Sequence, residues 1–100
     1  MPGFVQIMEF DTSRIEEVEA LSKQLQEERG DALLASRATV TEDRDRRGHY
    51  FVIVEFDSYE DAMRNSNDPA TDKYAETMAG MLDGRPTFHN LDVRMVMNVR

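Results

Sequence analysis

The sequence predicts an α+β fold: a four-stranded antiparallel sheet with helices on one face, in the order β-α-β-β-α-β. An internal repeat and the periodicity that follows each copy of it carry this expectation. Val5-Gln6-Ile7-Met8-Glu9-Phe10-Asp11-Thr12 returns 46 residues later as Phe51-Val52-Ile53-Val54-Glu55-Phe56-Asp57-Ser58. Each copy is an apolar-rich run closing on Glu-Phe-Asp and a hydroxyl residue, and each leads into a stretch with helical spacing. Two such units describe two split βαβ halves related by a pseudo-twofold, a ferredoxin-like arrangement. Compact domains run about 100–150 residues, so residues 1–100 are expected to form one domain.

Residues 4–10 alternate, with Phe4, Gln6, Met8 and Phe10 on one side and Val5, Ile7 and Glu9 on the other; period two predicts a strand. Asp11, Thr12 and Ser13 offer capping oxygens, and Ser13 with Glu16 has the spacing of a capping box. Ile15, Val18, Leu21, Ser22 and Leu25 then form one stripe on a helix whose other face is polar, with Gly30 as its C-cap. Residues 33–41 are small and β-branched and read as the second strand. The charged run 42–48, ending in Gly48, reads as an exposed hairpin loop whose Arg44, Arg46 and Arg47 are offset by interleaved acids.

Residues 49–56 form the most hydrophobic segment, apolar on both faces, which calls for cover on both sides. Ser58 is expected to cap a short helix through about residue 66, and Asp68-Pro69 to restart it, since Pro suits the first helical turn. The restarted helix runs from 70 to about 82, with Tyr74, Met78, Met81 and Leu82 on one face. Asp83-Gly84-Arg85-Pro86 is a turn, and residues 88–99 read as the fourth strand. Right-handed crossovers then place the two repeated strands side by side in the sheet centre, with both helical regions on one face. Val5, Ile7, Phe51 and Ile53 are left on a bare face, and homodimerisation through the sheets covers it.

Composition narrows the function classes. A net charge of −8 argues against a sequence-independent grip on nucleic acid, which needs Lys and Arg on phosphates, and against anionic membranes. Without cysteine, disulfides, thiol nucleophiles and cysteine metal sites are excluded. No run approaches the roughly 18 apolar residues of a membrane span, and no signal segment precedes the first strand. A cytoplasmic protein is expected, with no metal and no cofactor.

Chemistry rests on a short set of polar groups. His49 reads as a strand-end histidine in solvent. His89 and Asn90 lie near the start of the fourth strand and point to opposite faces, so only one of them faces a helix-side pocket. His89 is the candidate for proton transfer, because an imidazole titrates near neutrality. Arg37 lies mid-strand, where an edge position facing water suits it. Glu9 and Glu55 occupy equivalent repeat positions, but antiparallel neighbours carry them to opposite ends of the sheet, so paired-carboxylate catalysis is rejected. Of seven methionines, Met78 shares a helix stripe with Tyr74; such residues fill cores or line adaptable pockets. Tyr74 is the tyrosine best placed to add a hydroxyl.

The segment Glu55-Phe56-Asp57-Ser58-Tyr59-Glu60-Asp61-Ala62-Met63, followed by Ser66 and Pro69, resembles the dimeric α+β barrel proteins, in particular the antibiotic-biosynthesis-monooxygenase-like group of small domains. Residues 83–93 are similar to the last turn and strand of that group, and the resemblance spans essentially the whole chain. It implies a dimeric α+β barrel with a pocket between sheet and helices. Haem-degrading members carry an Asn on the first strand, a Trp ending the third and a His in the second helical region. The matching positions here hold Gln6, Phe56 and no histidine between Asp57 and Phe88, so haem degradation is not expected. Two functions remain. One is a cofactor-independent monooxygenase or isomerase acting on a small aromatic or polyketide-like molecule, with Gln6, Phe56, Tyr74, Met78, His89 and Asn90 around the pocket. The other is a non-catalytic homodimeric domain that holds a small hydrophobic or aromatic ligand or supports a partner.

Overall fold

The computed structural model describes residues 3–100. Its elements are β1 (Phe4–Asp11), α1 (Ile15–Arg29), a short 3-10 turn (Gly30–Leu33), β2 (Ala35–Glu42), β3 (His49–Phe56), α2 (Tyr59–Ser66), α3 (Pro69–Ala79) and β4 (Thr87–Asp92). The sheet order is β2-β3-β1-β4 with every neighbour antiparallel. The repeated strands are therefore the two central ones, as the duplication requires.

Strand alternation divides the sheet into two faces. Phe4 and Phe10 of β1 are buried, as are Tyr50, Val52 and Phe56 of β3; all five share the helix-facing parity, through pairs such as Phe4 with Phe56 and Phe10 with Tyr50. Val18 of α1 (0% exposed) and Met78 of α3 (2%) close one cluster with Phe10, Tyr50 and Val52. Phe4, Phe56 and Ala62 of α2 form a second. Each fully buried aliphatic side chain contributes about 1.5–3 kcal/mol relative to exposure. The other parity, with Val5, Ile7, Phe51 and Ile53, is half-buried and carries no helix.

Helix starts follow local chemistry. Ser58 Oγ accepts from the Asp61 N–H at 3.1 Å and Asp68 Oδ1 from the Ala70 N–H at 2.9 Å, with Pro69 opening α3. The expected Ser13–Glu16 capping box is not formed. Arg14 stands at the N-cap of α1 without a side-chain cap bond. Its N–H donates instead to Thr12 Oγ1, whose buried hydroxyl donates in turn to the Met81 carbonyl. Thr12 thus serves the packing between chain segments, and the helix begins beyond Ser13. Gly30 ends α1 with a positive φ of 51°.

Two boundaries differ from expectation. The helix read to residue 82 ends at Ala79, because Met81 and Leu82 belong to turns closed on Met78 and Ala79. The fourth strand ends at Asp92, not near residue 99; Val93 N–H still donates to the Gly3 carbonyl at 3.0 Å, where β1 begins. Gly3 must lack a side chain, since a Cβ would lie 2.5 Å from the Phe56 carbonyl oxygen. In chemical denaturation, Ser58→Ala and Asp68→Ala should each cost about 1 kcal/mol, while Ser13→Ala should stay within about 0.5 kcal/mol. A Ser13→Ala loss equal to the other two would contradict the capping assignment.

Candidate functional site

The six predicted site residues fall on four different parts of the molecule. Gln6 and Asn90 are brought together: they are cross-strand partners on β1 and β4, and Gln6 Nε2 donates to Asn90 Oδ1 at 3.0 Å. Their parity is that of Phe4 and Phe10, so the amide pair sits on the helix side of the sheet. The neighbouring pair on that face is half-buried Met8 with exposed Phe88. The result is two apolar side chains beside two amides that retain unused N–H and C=O groups.

Phe56 and Met78 do not join that pair. Phe56 (4% exposed) packs with Phe4 and Ala62, and Met78 lies in the Phe10–Val18 cluster. Tyr74 packs against the Met78 cluster and hydrogen-bonds Ser22 at 2.8 Å; burial raises its phenol above the ordinary range. The tyrosine ring borders an open groove of about 330 Å³ between α1 and α3. A second open hollow, of about 380 Å³, lies at the sheet end where Val5, Ser36 and Glu55 meet Val93 and Val96.

His89 points to the opposite face. It shares parity with Ile7 and reaches Glu9, with Nε2 3.1 Å from Oε1. Glu9 also engages His49, Nε2 to Oε2 at 2.7 Å, and His49 Nδ1 lies 2.7 Å from Asp11 Oδ1. A chain His89–Glu9–His49–Asp11 therefore crosses three strands on the helix-free face. His49 is not the solvent-facing residue expected; it is 6% exposed. The antiparallel register pairs it directly with Asp11, Phe51 packs edge-on at 5.2 Å, and the turn through Gly48 (φ 87°) folds over it. His49 N–H donates to the Arg46 carbonyl, and Gly48 carbonyl accepts from Thr12 N–H, locking that turn to β1.

Electrostatics follow from this chain of contacts. Hydrogen bonds to Asp11 and then Glu9 raise the His49 pKa above 6.5, against partial burial and the Arg46 charge. Hydrogen bonds from His89 and His49 lower Glu9 below 4.5, and that from His49 lowers Asp11 below 3.8. The arrangement thus holds an imidazolium between two carboxylates. Sequence reading missed it, although the signal was present: antiparallel neighbours set the start of one strand beside the end of the other. Glu9 and Glu55 are separated as expected, pairing with Phe51 and Val5 respectively, and exposed Arg37 pairs with Glu55 at 2.7 Å. Among the described residues, no group of three His, Cys, Asp or Glu is arranged to hold a metal ion, and no helix is long and apolar enough to cross a membrane.

The linkage has a definite sign. A raised His49 pKa stabilises the fold fully below pH 6.5 and loses that contribution as pH rises through the folded value. The lowered carboxylates contribute above about pH 4.5 and lose it as pH falls through their folded values. The network is therefore strongest between these limits. Thermal melts from pH 4 to 9 should show a Tm decline above pH 6.5 that is flattened in His49→Gln. Parallel wild-type and variant curves over that range would contradict the assignment.

No family profile matches the chain, and no curated protein matches it in sequence. Solved structures do. A conserved protein from Methanosarcina mazei Go1 superposes with a TM-score of 0.80 at 11% identity, over 94% of this chain and 95% of that one. A variant of SnoaB, a cofactor-independent oxygenase from Streptomyces nogalater, gives 0.79 at 14% identity, over 95% and 96%. A dimeric ferredoxin-like protein from an uncultured marine organism gives 0.67 at 17% identity, over 100% and 94%. Identities this low speak for the fold alone.

Proposed function

The chain has the fold of the antibiotic-biosynthesis-monooxygenase-like dimeric α+β barrel proteins, and we propose that it works as a homodimeric cytoplasmic domain paired through the bare sheet face. On this reading it seats an aromatic or polyketide-like molecule against the helix side of β1 and β4. It acts there as a cofactor-independent monooxygenase or isomerase.

The observation that carries the reading is the Gln6–Asn90 amide pair beside Met8 and Phe88. Apolar contacts suit a flat ring system, and amide N–H groups suit the oxyanion of an ionised phenol or enol. Such a substrate supplies its own electrons. Dioxygen oxidises a ring CH₂ to a carbonyl, one oxygen entering the product and the other leaving as water. SnoaB, with the same fold, is described as working without a cofactor, which supports this class of chemistry.

The second reading, a ligand-binding domain without turnover, is favoured by a different observation. His89 lies across the sheet from the amide pair, and the Tyr74 hydroxyl is taken by Ser22. Neither His89, the candidate for proton transfer, nor Tyr74, the candidate hydroxyl, converges on Gln6 and Asn90. Oxygen uptake and quinone formation with a panel of hydroquinones and anthrone-like phenols, without added cofactor, separate the two. Turnover that drops at least tenfold in kcat/KM in Gln6→Leu and Asn90→Leu, and is retained in His89→Ala, is the expected result. Saturable binding without turnover would leave the second reading, and neither binding nor turnover would remove both.

A further inference from the structure

The chain has two histidines and no cysteine, and both histidines meet on one carboxylate. Glu9 Oε1 lies 3.1 Å from His89 Nε2 and Glu9 Oε2 lies 2.7 Å from His49 Nε2, while Asp11 takes the other nitrogen of His49 at 2.7 Å. Imidazole is the side chain that ordinarily changes charge between about pH 5 and 8. Side-chain charge near neutrality therefore changes inside this one cluster.

Strand register places the cluster within the bare face. Thr39, Ile53, Ile7 and His89 form one row across all four strands. Thr41, Phe51, Glu9 and Thr87 form the next row, and His49 with Asp11 the one after. Ile7 and Ile53 occupy the middle of this face, so a second sheet laid over them also covers His89 and Glu9, whose side chains are 43% and 28% exposed in the single chain. Few other charges face the cluster. From β2, Arg37 is held by Glu55 at the far end of the face, 2.7 Å away. From the turn before β3, Arg46 reaches Asp11 at 3.5 Å and stays mostly in water. On this parity β4 adds only Thr87 and Leu91 to His89.

With both imidazoles protonated and both carboxylates ionised, two positive and two negative charges cancel. Hydrogen bonds from the imidazoles hold Glu9 and Asp11 below the usual carboxylate range, so the carboxylates stay ionised in mild acid. Each proton that leaves a histidine uncovers one negative charge. A balanced, hydrogen-bonded cluster is much cheaper to take out of water than one holding an unpaired charge. A second copy brings the same cluster on a body of the same net charge, −8, so uncovered charges also add to repulsion.

We propose that the His89–Glu9–His49–Asp11 cluster makes pairing through the bare face pH-dependent: two copies join while both imidazoles hold protons and separate as pH rises and the protons leave. The inference rests on the homodimer reading above. Linkage gives the sign, since a dimer that binds more protons than its separated copies weakens as pH rises. Sedimentation equilibrium of the full chain at pH 6 and pH 8.5, at one ionic strength, tests it, with far-UV circular dichroism recorded at both. Expected is an unchanged spectrum and a dimer Kd at least tenfold higher at pH 8.5. That rise should shrink in His89→Gln, whose amide N–H still reaches Glu9, and fall below threefold in the His49→Gln/His89→Gln double variant. A Kd equal at the two pH values, or lower at pH 8.5, overturns the switch and leaves the homodimer intact. A rise undiminished in His89→Gln overturns the cluster as its source, and this arm stands even if the double variant fails to fold. A chain monomeric at both pH values overturns the homodimer reading itself.

Discussion

Antiparallel pairing of β1 with β3 is the constraint on which the rest of the structure depends. Because the two strands are copies of one unit, their register sets Phe4 against Phe56 and Phe10 against Tyr50, which stacks aromatic residues under the helices at both ends of the sheet. Phe10 and Tyr50 lie with ring centroids 5.9 Å apart, and Phe4 meets Tyr59 edge-on at 5.3 Å. The same register fixes which residues face away. A slip of one residue would send Phe4 and Phe10 outward and bring Glu9 and Asp11 into the core, so the pairing is strongly specified.

Helices on one face only leave a sheet with two unequal surfaces. The helix side contains the hydrophobic core and, toward the β4 edge, the Gln6–Asn90 pair. The bare side is apolar at Val5, Ile7, Phe51 and Ile53 and polar at one end, where His49 is held by Glu9 and Asp11. A partner sheet covering the apolar part would abut that charged end. Its imidazolium and carboxylates are already satisfied by one another, which lowers the cost of placing them beside an interface. On the proposed reading, ligand and partner use opposite faces, and the chemistry on one does not compete with assembly on the other.

The repeat made the fold legible because each copy stated both a strand and the start of the helix that follows it. Ser58 and Asp68 capped as read, Asp68 with one carboxylate oxygen while the other pairs with Arg29; Ser13 did not, and the hydroxyl beside it, on Thr12, is drawn into a tertiary bond to Met81. Site geometry was less legible. Gln6 and Asn90 could be placed on one face by parity, but their hydrogen bond depends on the β1–β4 register, which no local pattern supplies. Phe56 and Met78 have the chemistry of pocket walls and the burial of core, and side-chain type does not separate the two. His49 was recoverable: the antiparallel pairing that separates Glu9 from Glu55 also puts Asp11 beside His49. The strand pattern of residues 88–99 is real as a propensity, but only its first half, through Asp92, is paired, against β1.

On the proposed reading, one sheet face is built for the core and a ligand and the other for a second copy. Ile53 sits in the middle of the bare face, opposite Ile7 on β1 and Thr39 on β2. Sedimentation velocity of Ile53→Asp tests the claim directly. A monomer with the wild-type far-UV circular dichroism, against a wild-type dimer, is the predicted result. An Ile53→Asp chain that still dimerises with wild-type affinity would contradict it.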